Sequence, residues 1–313
     1  MISRRNIRIK VMQNLYALEA LKTSDEVGQK RKINTAQQHV EKDLNDSILA
    51  FVHLLYIMQE IAGYADKDAR QRAAKRLPTD QDLHVDTKLA HSQFVKTLKE
   101  NDNFQIRVKD ALLEKRTDRE FIKLLYGRLI KTEAYENYVA TEKGNKKADI
   151  EILKEFFAVL LFDDEDFEQF MDDLYLQWQD DISMMEILIS NFLKKPKNFN
   201  FRSLVSHEKR EYATELIRTV IEKKDYCREW IKPRLKNWDP DRVAIIDMLL
   251  LHMGVCEFLY FPTIPPRVTI NEYIDLAKEY STEQSGQFIN GVLDNILKKL
   301  KNEGKLNKVE RAH

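Results

Sequence analysis

The sequence predicts an all-α protein, and three observations carry that prediction. Apolar residues recur at three- and four-residue spacing, the period of an amphipathic helix, along most of the chain. Only 8 Gly and 7 Pro occur among 313 residues while 33% are charged, a composition suited to long helices with few tight turns. No run of alternating Val, Ile or Thr marks a strand. Hydrophobic residues make up 43%, enough for a sizeable core in one large or two ordinary domains. The formal net charge is zero, so any nucleic-acid site has to be a local patch rather than a whole-molecule field.

The first helix is expected over residues 3–22, with Ser3 as N-cap and Ile7, Val11, Leu15 and Leu18 as its apolar stripe. Arg4, Arg5, Arg8 and Lys10 put four cations into the first ten residues with no acid among them. Cations oppose the dipole at a helix N-terminus, so such a cluster is easier to understand if it meets phosphate. Those charges also interrupt any apolar leader, so no signal peptide is expected.

Further on, Leu44, Ile48, Phe51, Leu55, Met58 and Ala62 form a heptad seam on a helix expected from about Thr35 to Arg76, ending before Pro78. Three more helices are marked by Phe104, Val108 and Leu112, then by Phe121, Leu125, Leu129 and Thr132, then by Ile152, Phe156, Val159 and Phe162. Residues 163–186 carry ten acids and no base. That strip is a solvated face, a docking surface for a basic partner, or a counter-charge for a basic face. It is not a calcium loop, because Phe167 and Glu168 stand where a ligand and the glycine are needed.

The most apolar run, Val243 to Phe261, contains Asp247, His252, Gly254 and Glu257, which reads as a core helix and not a membrane span. Asp239 with Pro240 is its expected start, and Val243, Ile246, Leu250 and Met253 its buried stripe. After Pro265-Pro266, Thr269 with Glu272 reads as a capping box opening a helix that buries Ile270, Ile274 and Ala277. Ser281 with Gln284 repeats the pattern before a last helix carrying Phe288, Val292, Ile296 and Leu300. Gly291, inside that helix, signals either close helix packing or close approach of a ligand or partner backbone. The lysine-rich end, including Lys299, Lys305 and Lys308, is expected to fray.

Two of these segments carry a resemblance. Pro265 to Lys278 resembles the P-x-K/R-V-x-I-N-E-x-[IV]-E/D-L-A-K segment of the NusB family, and Phe288 to Asp294 its F-[VI]-N-G-[VI]-L-D segment, at the family's separation. Tyr212-Ala213-Thr214-Glu215-Leu216-Ile217 resembles the family's Y-x-x-E-L-[IV], and Ile231, Pro233, Leu235 and Trp238 its I-x-P-x-L-x-x-W. Arg4, Arg5, Arg8, Leu15 and Tyr16 match its arginine-rich opening, with Asn6 where a third consecutive arginine is usual. Met248 and His252 replace two arginines of the family's D-R-A-I-L-R.

The resemblance implies a discontinuous core over 1–23 and 190–302, made of two small helical subdomains. It leaves residues 24–189 as a helical insertion and 303–313 as a basic flexible tail. It implies a transcription antitermination factor that binds box A-type single-stranded RNA of nascent ribosomal transcripts. The partners would be the NusE-type small-subunit ribosomal protein and the RNA polymerase antitermination complex, with a homodimer left open. The RNA contacts expected are Arg4, Arg5, Arg8 and Lys10, with Phe288, Asn290 and Gly291 beside them. Asn290 could reach a base edge or bridge two helices. Four engaged phosphates would give a log–log salt slope of about −3.

No enzyme, cofactor or metal site is expected. The nearest glycine pair, Gly286 and Gly291, makes no phosphate loop, and Glu211 stands where a His207-Glu208 zinc motif needs its second histidine. Cys227 and Cys256 are too few for a disulfide framework, which suits the cytoplasm. The rival reading is a helical adaptor that has lost RNA binding and recruits a partner through the acidic strip.

Overall fold

The computed structural model describes residues 1–20, 26–142, 145–235 and 243–309. These residues hold α-helices and three short 3-10 turns and no strand, so the protein is all-α. In chain order the helices are α1 (Arg4–Ala20), α2 (Glu26–Ala73), α3 (Asp80–Leu83), α4 (Gln93–Glu100), α5 (Asp102–Asp110), α6 (Leu113–Arg116), α7 (Arg119–Leu129) and α8 (Glu133–Val139). They continue as α9 (Lys146–Phe162), α10 (Glu165–Leu174), α11 (Trp178–Lys194), α12 (His207–Glu222), α13 (Lys224–Ile231), α14 (Ile245–Tyr260), α15 (Pro266–Tyr280) and α16 (Ser285–Asn302). Internal contacts divide the chain into two compact units, residues 1–2 with 45–204, and residues 3–44 with 205–313.

The unit of residues 45–204 is built on the second half of α2. Its heptad residues are buried, but so are the residues between them: Phe51, Val52, Leu54, Leu55 and Ile57 are all fully covered. A helix apolar all round is a core helix and not a two-stranded seam. It is also long and apolar enough to cross a membrane by composition, but most of that stretch is buried inside the protein. Phe51, Phe104, Phe192 and Phe201 form an aromatic cluster with Phe199, at ring-centroid distances of 5.0–6.5 Å. His53 is buried between the Tyr175 hydroxyl (2.9 Å) and the Thr117 hydroxyl (2.8 Å), and burial beside Arg116 pushes its pKa down to about 4.

Several expectations shift here. Leu112 does not continue the stripe of Phe104 and Val108. It takes a left-handed φ of 52°, stays 52% exposed and caps α6. Thr132 does not extend α7; its hydroxyl accepts from the Tyr135 amide and starts α8. In α9 the covered face is Ile152, Leu153, Phe156, Phe157, Leu160 and Leu161, while Phe162 is 56% exposed. The acidic strip is only partly solvated. Asp164 caps α10 and pairs with Arg128, which also reaches Asp166, and Asp181 accepts from buried Ser47.

The unit of residues 3–44 and 205–313 has α14 at its centre. Leu249 to Phe258 are buried without a break, as an apolar run of this length requires. The Asp239-Pro240 start and Trp238 lie outside the described residues. Gly254, not Gly291, is the close-packing glycine: a Cβ there would stand 2.9 Å from the Leu293 side chain of α16. The helix after the double proline opens at Pro266, with Pro265 as its N-cap. Proline at the first position has no amide to leave unpaired, so it sets the start ahead of the Thr269 capping box. Thr269 is thereby inside the helix and fully buried, and Ile274 is only half-covered, its place on the core face taken by Tyr273. Before α16 the pairing is Thr282 with Ser285 instead of Ser281 with Gln284.

The chain end is anchored as far as residue 309. Lys308 Nζ donates to the carbonyls of Glu257 (2.7 Å) and Phe261 (2.8 Å), and the Val309 amide donates to Pro262. The expected fraying therefore does not hold for Lys299, Lys305 and Lys308.

Candidate functional site

Helix α1 starts where Ser3 and Asn6 cap each other, the Ser3 hydroxyl accepting from the Asn6 amide and the Asn6 side chain from the Ser3 amide, both at 3.2 Å. From that start the helical period sends the basic residues in different directions. Arg4 and Arg5 point to partly exposed edges, with side-chain exposures of 30% and 34%. Arg8, one turn after Arg4, is 2% exposed, and Lys10 is 1% exposed. The expected surface cluster of four cations is therefore two, and Arg8 and Lys10 are not available to phosphate in this fold.

Arg8 is held by the centre of the unit. Its Nε and Nη2 donate to the two oxygens of Glu257 at 2.7 and 3.1 Å, and its Nη1 to Glu272 at 3.2 Å. Glu257 is fully buried and also accepts from the hydroxyls of Tyr212, Thr269 (2.9 Å) and Tyr273 (2.9 Å). The rings of Tyr212 and Tyr273 each lie 5.7 Å from the guanidinium. Burial opposes the charge on Glu257, yet Arg8 and the donating hydroxyls hold its carboxyl below the ordinary glutamate range. Burial likewise opposes the charge on Arg8, and Glu257 more than restores it. Both tyrosines are pushed well up by burial and by Glu257. A bidentate pair with every lone pair used is what makes two buried charges tolerable.

The two outer arginines are also neutralised within the chain. Arg4 pairs with Glu208 in the first turn of α12, and Arg5 with Asp275 (3.6 Å) and Glu279 (2.9 Å) of α15. Acids from distant segments thus answer the unfavourable cations at the start of α1. Surface pairs of this kind contribute only about 0–1 kcal/mol, so a phosphate can displace the carboxylates.

A second feature lies on α16. A groove of about 680 Å³ is lined by Phe288, Gly291, Gln284, Gln287, Asn295 and Arg234. Phe288 and Gly291 meet there, while Asn290 is exposed and does not line it. Gly291 has nothing within 4 Å of where a Cβ would sit, which removes the close-packing explanation for it. Gly291→Ala is expected to raise the unfolding free energy by about 0.5–1 kcal/mol, and Gly254→Ala to lower it by about 1–3 kcal/mol. Urea unfolding of the two variants separates these signs.

Cations beyond those singled out in the sequence gather beside this groove. Arg234 donates to Asn295 (3.2 Å) and lies 5.9 Å from the Trp230 ring, which also carries Lys299 at 5.7 Å and Lys305 at 4.9 Å. Exposed Tyr226 stands edge-on to the same indole. The spacing of Tyr226, Trp230 and Arg234, four residues apart, was the available signal for this cluster.

His252 is 6% exposed, and burial near Lys224 and Arg228 pushes its pKa down to about 4, so it is neutral at pH 7. With Met248 it lines a cavity of about 510 Å³ whose cations come from α13 and the turn after it, Lys224, Arg228 and Lys232. Cys227 and Cys256 are buried thiols with sulfurs 3.4 Å apart. Among the described residues no group of three or more His, Cys, Asp and Glu side chains is arranged to hold a metal ion.

Residues 171–298 match the model of the NusB family. The chain is 42% identical over 96 residues to the transcription antitermination protein NusB of Methylacidiphilum infernorum, covering 31% of this chain and 67% of that protein. It is 42% identical over 103 residues to the protein of that name in Salinibacter ruber (33% and 64%), and 42% identical over 98 residues to that of a Nitratiruptor species (31% and 70%). No solved structure matches the chain. The matched segment includes the groove residues Phe288 and Gly291 and the buried Glu257, but not α1.

Proposed function

The chain belongs to the NusB family, whose members are transcription antitermination factors and not enzymes, and we propose that it binds box A-type single-stranded RNA of nascent ribosomal transcripts. It does so with the NusE-type ribosomal protein, in the cytoplasm, and helps RNA polymerase resist termination. The observation that carries the RNA reading is the groove of Phe288 and Gly291, with Arg234 on its wall and Trp230 ringed by Lys299 and Lys305 beside it. Cations along a groove are how the backbone of single-stranded RNA is held, whereas Phe288 and Trp230, 7% and 6% exposed, shape the groove wall and offer no open ring face to a base. Arg4 and Arg5 add two phosphate contacts at the start of α1. Asn290, exposed on α16, is free to meet a base edge.

Because Arg8 and Lys10 are buried, the arginine helix supplies two contacts and not four. Arg4→Ala with Arg5→Ala is therefore expected to flatten the log–log salt slope of RNA binding by about 1.4, at about 0.7 per phosphate on a single strand. An unchanged slope would remove α1 from the RNA surface. Arg234→Ala and Lys305→Ala test the groove in the same assay, each expected to lower affinity several-fold.

The adaptor reading is favoured by one observation. Leu176, 99% exposed, and Ile187, 59% exposed, lie in the chain segment that also exposes Glu165, Glu168, Asp173 and Glu186. A folded protein with no affinity for RNA would select it.

A further inference from the structure

Gly286, in the first turn of α16, is a second close-packing glycine, and its neighbour is a charged residue. A Cβ there would stand 3.0 Å from Cγ and 3.2 Å from Cε of Lys278 in α15. The lysine stem therefore lies flat across the bare backbone of α16, while the residue as a whole stays exposed. Any side chain at position 286 would lift the stem from this seat. Because the atoms in the way belong to a flexible side chain, the lysine would move and the helices would not.

The helical period fixes what stands on either side of Lys278. In α15 it lies one turn after Asp275 and next to Glu279, the two acids that hold Arg5 of α1. In α16 the exposed Asn290 follows Gly286 by one turn on the same side, and Gly291 beside it opens the outer face. Asn295, one turn after Gly291, accepts a hydrogen bond from Arg234. The outer face of α16 thus runs from Lys278 on one edge, over Asn290 and Gly291, to Arg234 on the other. Asp294 shares that face and is answered by Lys298 at 2.7 Å. No acid is paired with Lys278 among the described residues.

We propose that Lys278, seated on Gly286, is a further phosphate contact for single-stranded RNA and joins the arginines at the start of α1 to the groove on α16. The proposal rests on the RNA reading of that groove and names the path the strand takes. A strand crossing α16 meets a cation on each edge, Lys278 and Arg234, and between them a glycine with no side chain to hold its backbone off. Lysine meets phosphate as a point charge and reads no sequence, so Lys278 sets the register of the strand and not its base preference. Asn290, between the two cations, is placed for a base edge.

The test is the anisotropy of a labelled box A-type single-stranded RNA across a salt series. It compares the full chain with Lys278→Ala, Lys278→Arg, Gly286→Ala, and Gly286→Ala with Lys278→Ala. Lys278→Ala is expected to flatten the log–log slope by about 0.7, one phosphate on a single strand, and Lys278→Arg to keep it. Gly286→Ala is expected to weaken binding about threefold by moving the lysine, and to have no further effect once Lys278 is alanine. A merely structural role for Gly286 would cost the same in both backgrounds, and that result would overturn the proposal. A slope unchanged by Lys278→Ala, while Arg234→Ala still weakens binding, would overturn it and leave the RNA reading standing. No RNA binding by the parent chain would overturn both.

Discussion

Arg8→Ala, and separately Glu257→Gln, is expected to lower the unfolding free energy by about 3–5 kcal/mol, because each leaves the other charge or its donors buried and unpaired. Arg8 is 2% exposed and Glu257 fully buried, so neither can turn to water without opening the unit. Arg8→Lys does not rescue: a single ammonium cannot reproduce the fork that reaches both Glu257 oxygens and Glu272. The effect is predicted to be strongly non-additive, with the double variant costing less than the sum of the two. Urea unfolding followed by the circular dichroism of the helices measures all four variants. Losses below about 1 kcal/mol would show that the pair is dispensable.

The same pair predicts a pH dependence. The folded-state pKa of Glu257 lies below its ordinary value of 4.5. Its contribution is therefore complete above that value and is lost as pH falls through the lower, folded-state value. Glu257→Gln should remove this share of the acid-induced loss, so that its stability falls less steeply than that of the parent below about pH 4.5.

Phe201→Ala carries the second large effect, on the unit of residues 45–204. Phe201 is fully buried and meets Phe51, Phe104, Phe192 and Phe199 at centroid distances of 5.0–6.5 Å. Removing it deletes the shared member of that cluster, and a loss of about 3–5 kcal/mol is expected for a buried Phe→Ala change. Near-ultraviolet circular dichroism during guanidinium unfolding should show the loss as a lowered midpoint. Phe201→Leu, which keeps most of the volume, should cost about 1–2 kcal/mol. Equal losses for the two variants would mean that the ring contacts, and not the buried volume, carry the effect.

What was legible in the sequence follows from which forces are local. The stripe of Phe288, Val292, Ile296 and Leu300 is buried as its period implies, because periodicity reports a face directly. The seam of Leu44, Ile48, Phe51, Leu55, Met58 and Ala62 is buried too, but period alone did not reveal that the residues between are covered as well. The role of Arg8 was not legible, since its partner Glu257 is 249 positions away and a charge cluster read in its own segment appears free. The two glycines were exchanged for a related reason. Gly254 sits in a run that is apolar on every side, where no face is marked, whereas Gly291 in an amphipathic helix invites a packing explanation it does not need. At Pro265-Pro266 and Thr269 two helix-start signals compete, and the one that leaves no amide unpaired prevails. The cations on Trp230 come from α16, the turn following α13 and the chain beyond α16, so no single segment displays them.

The most direct test is the anisotropy of a labelled box A-type RNA across a salt series, with and without the NusE-type ribosomal protein. Tight, salt-dependent binding that strengthens when the partner is added, and that weakens in the Arg4→Ala, Arg5→Ala protein, is the result expected. A folded protein that binds no RNA in either condition would contradict the account and turn attention to basic partners of the acidic strip.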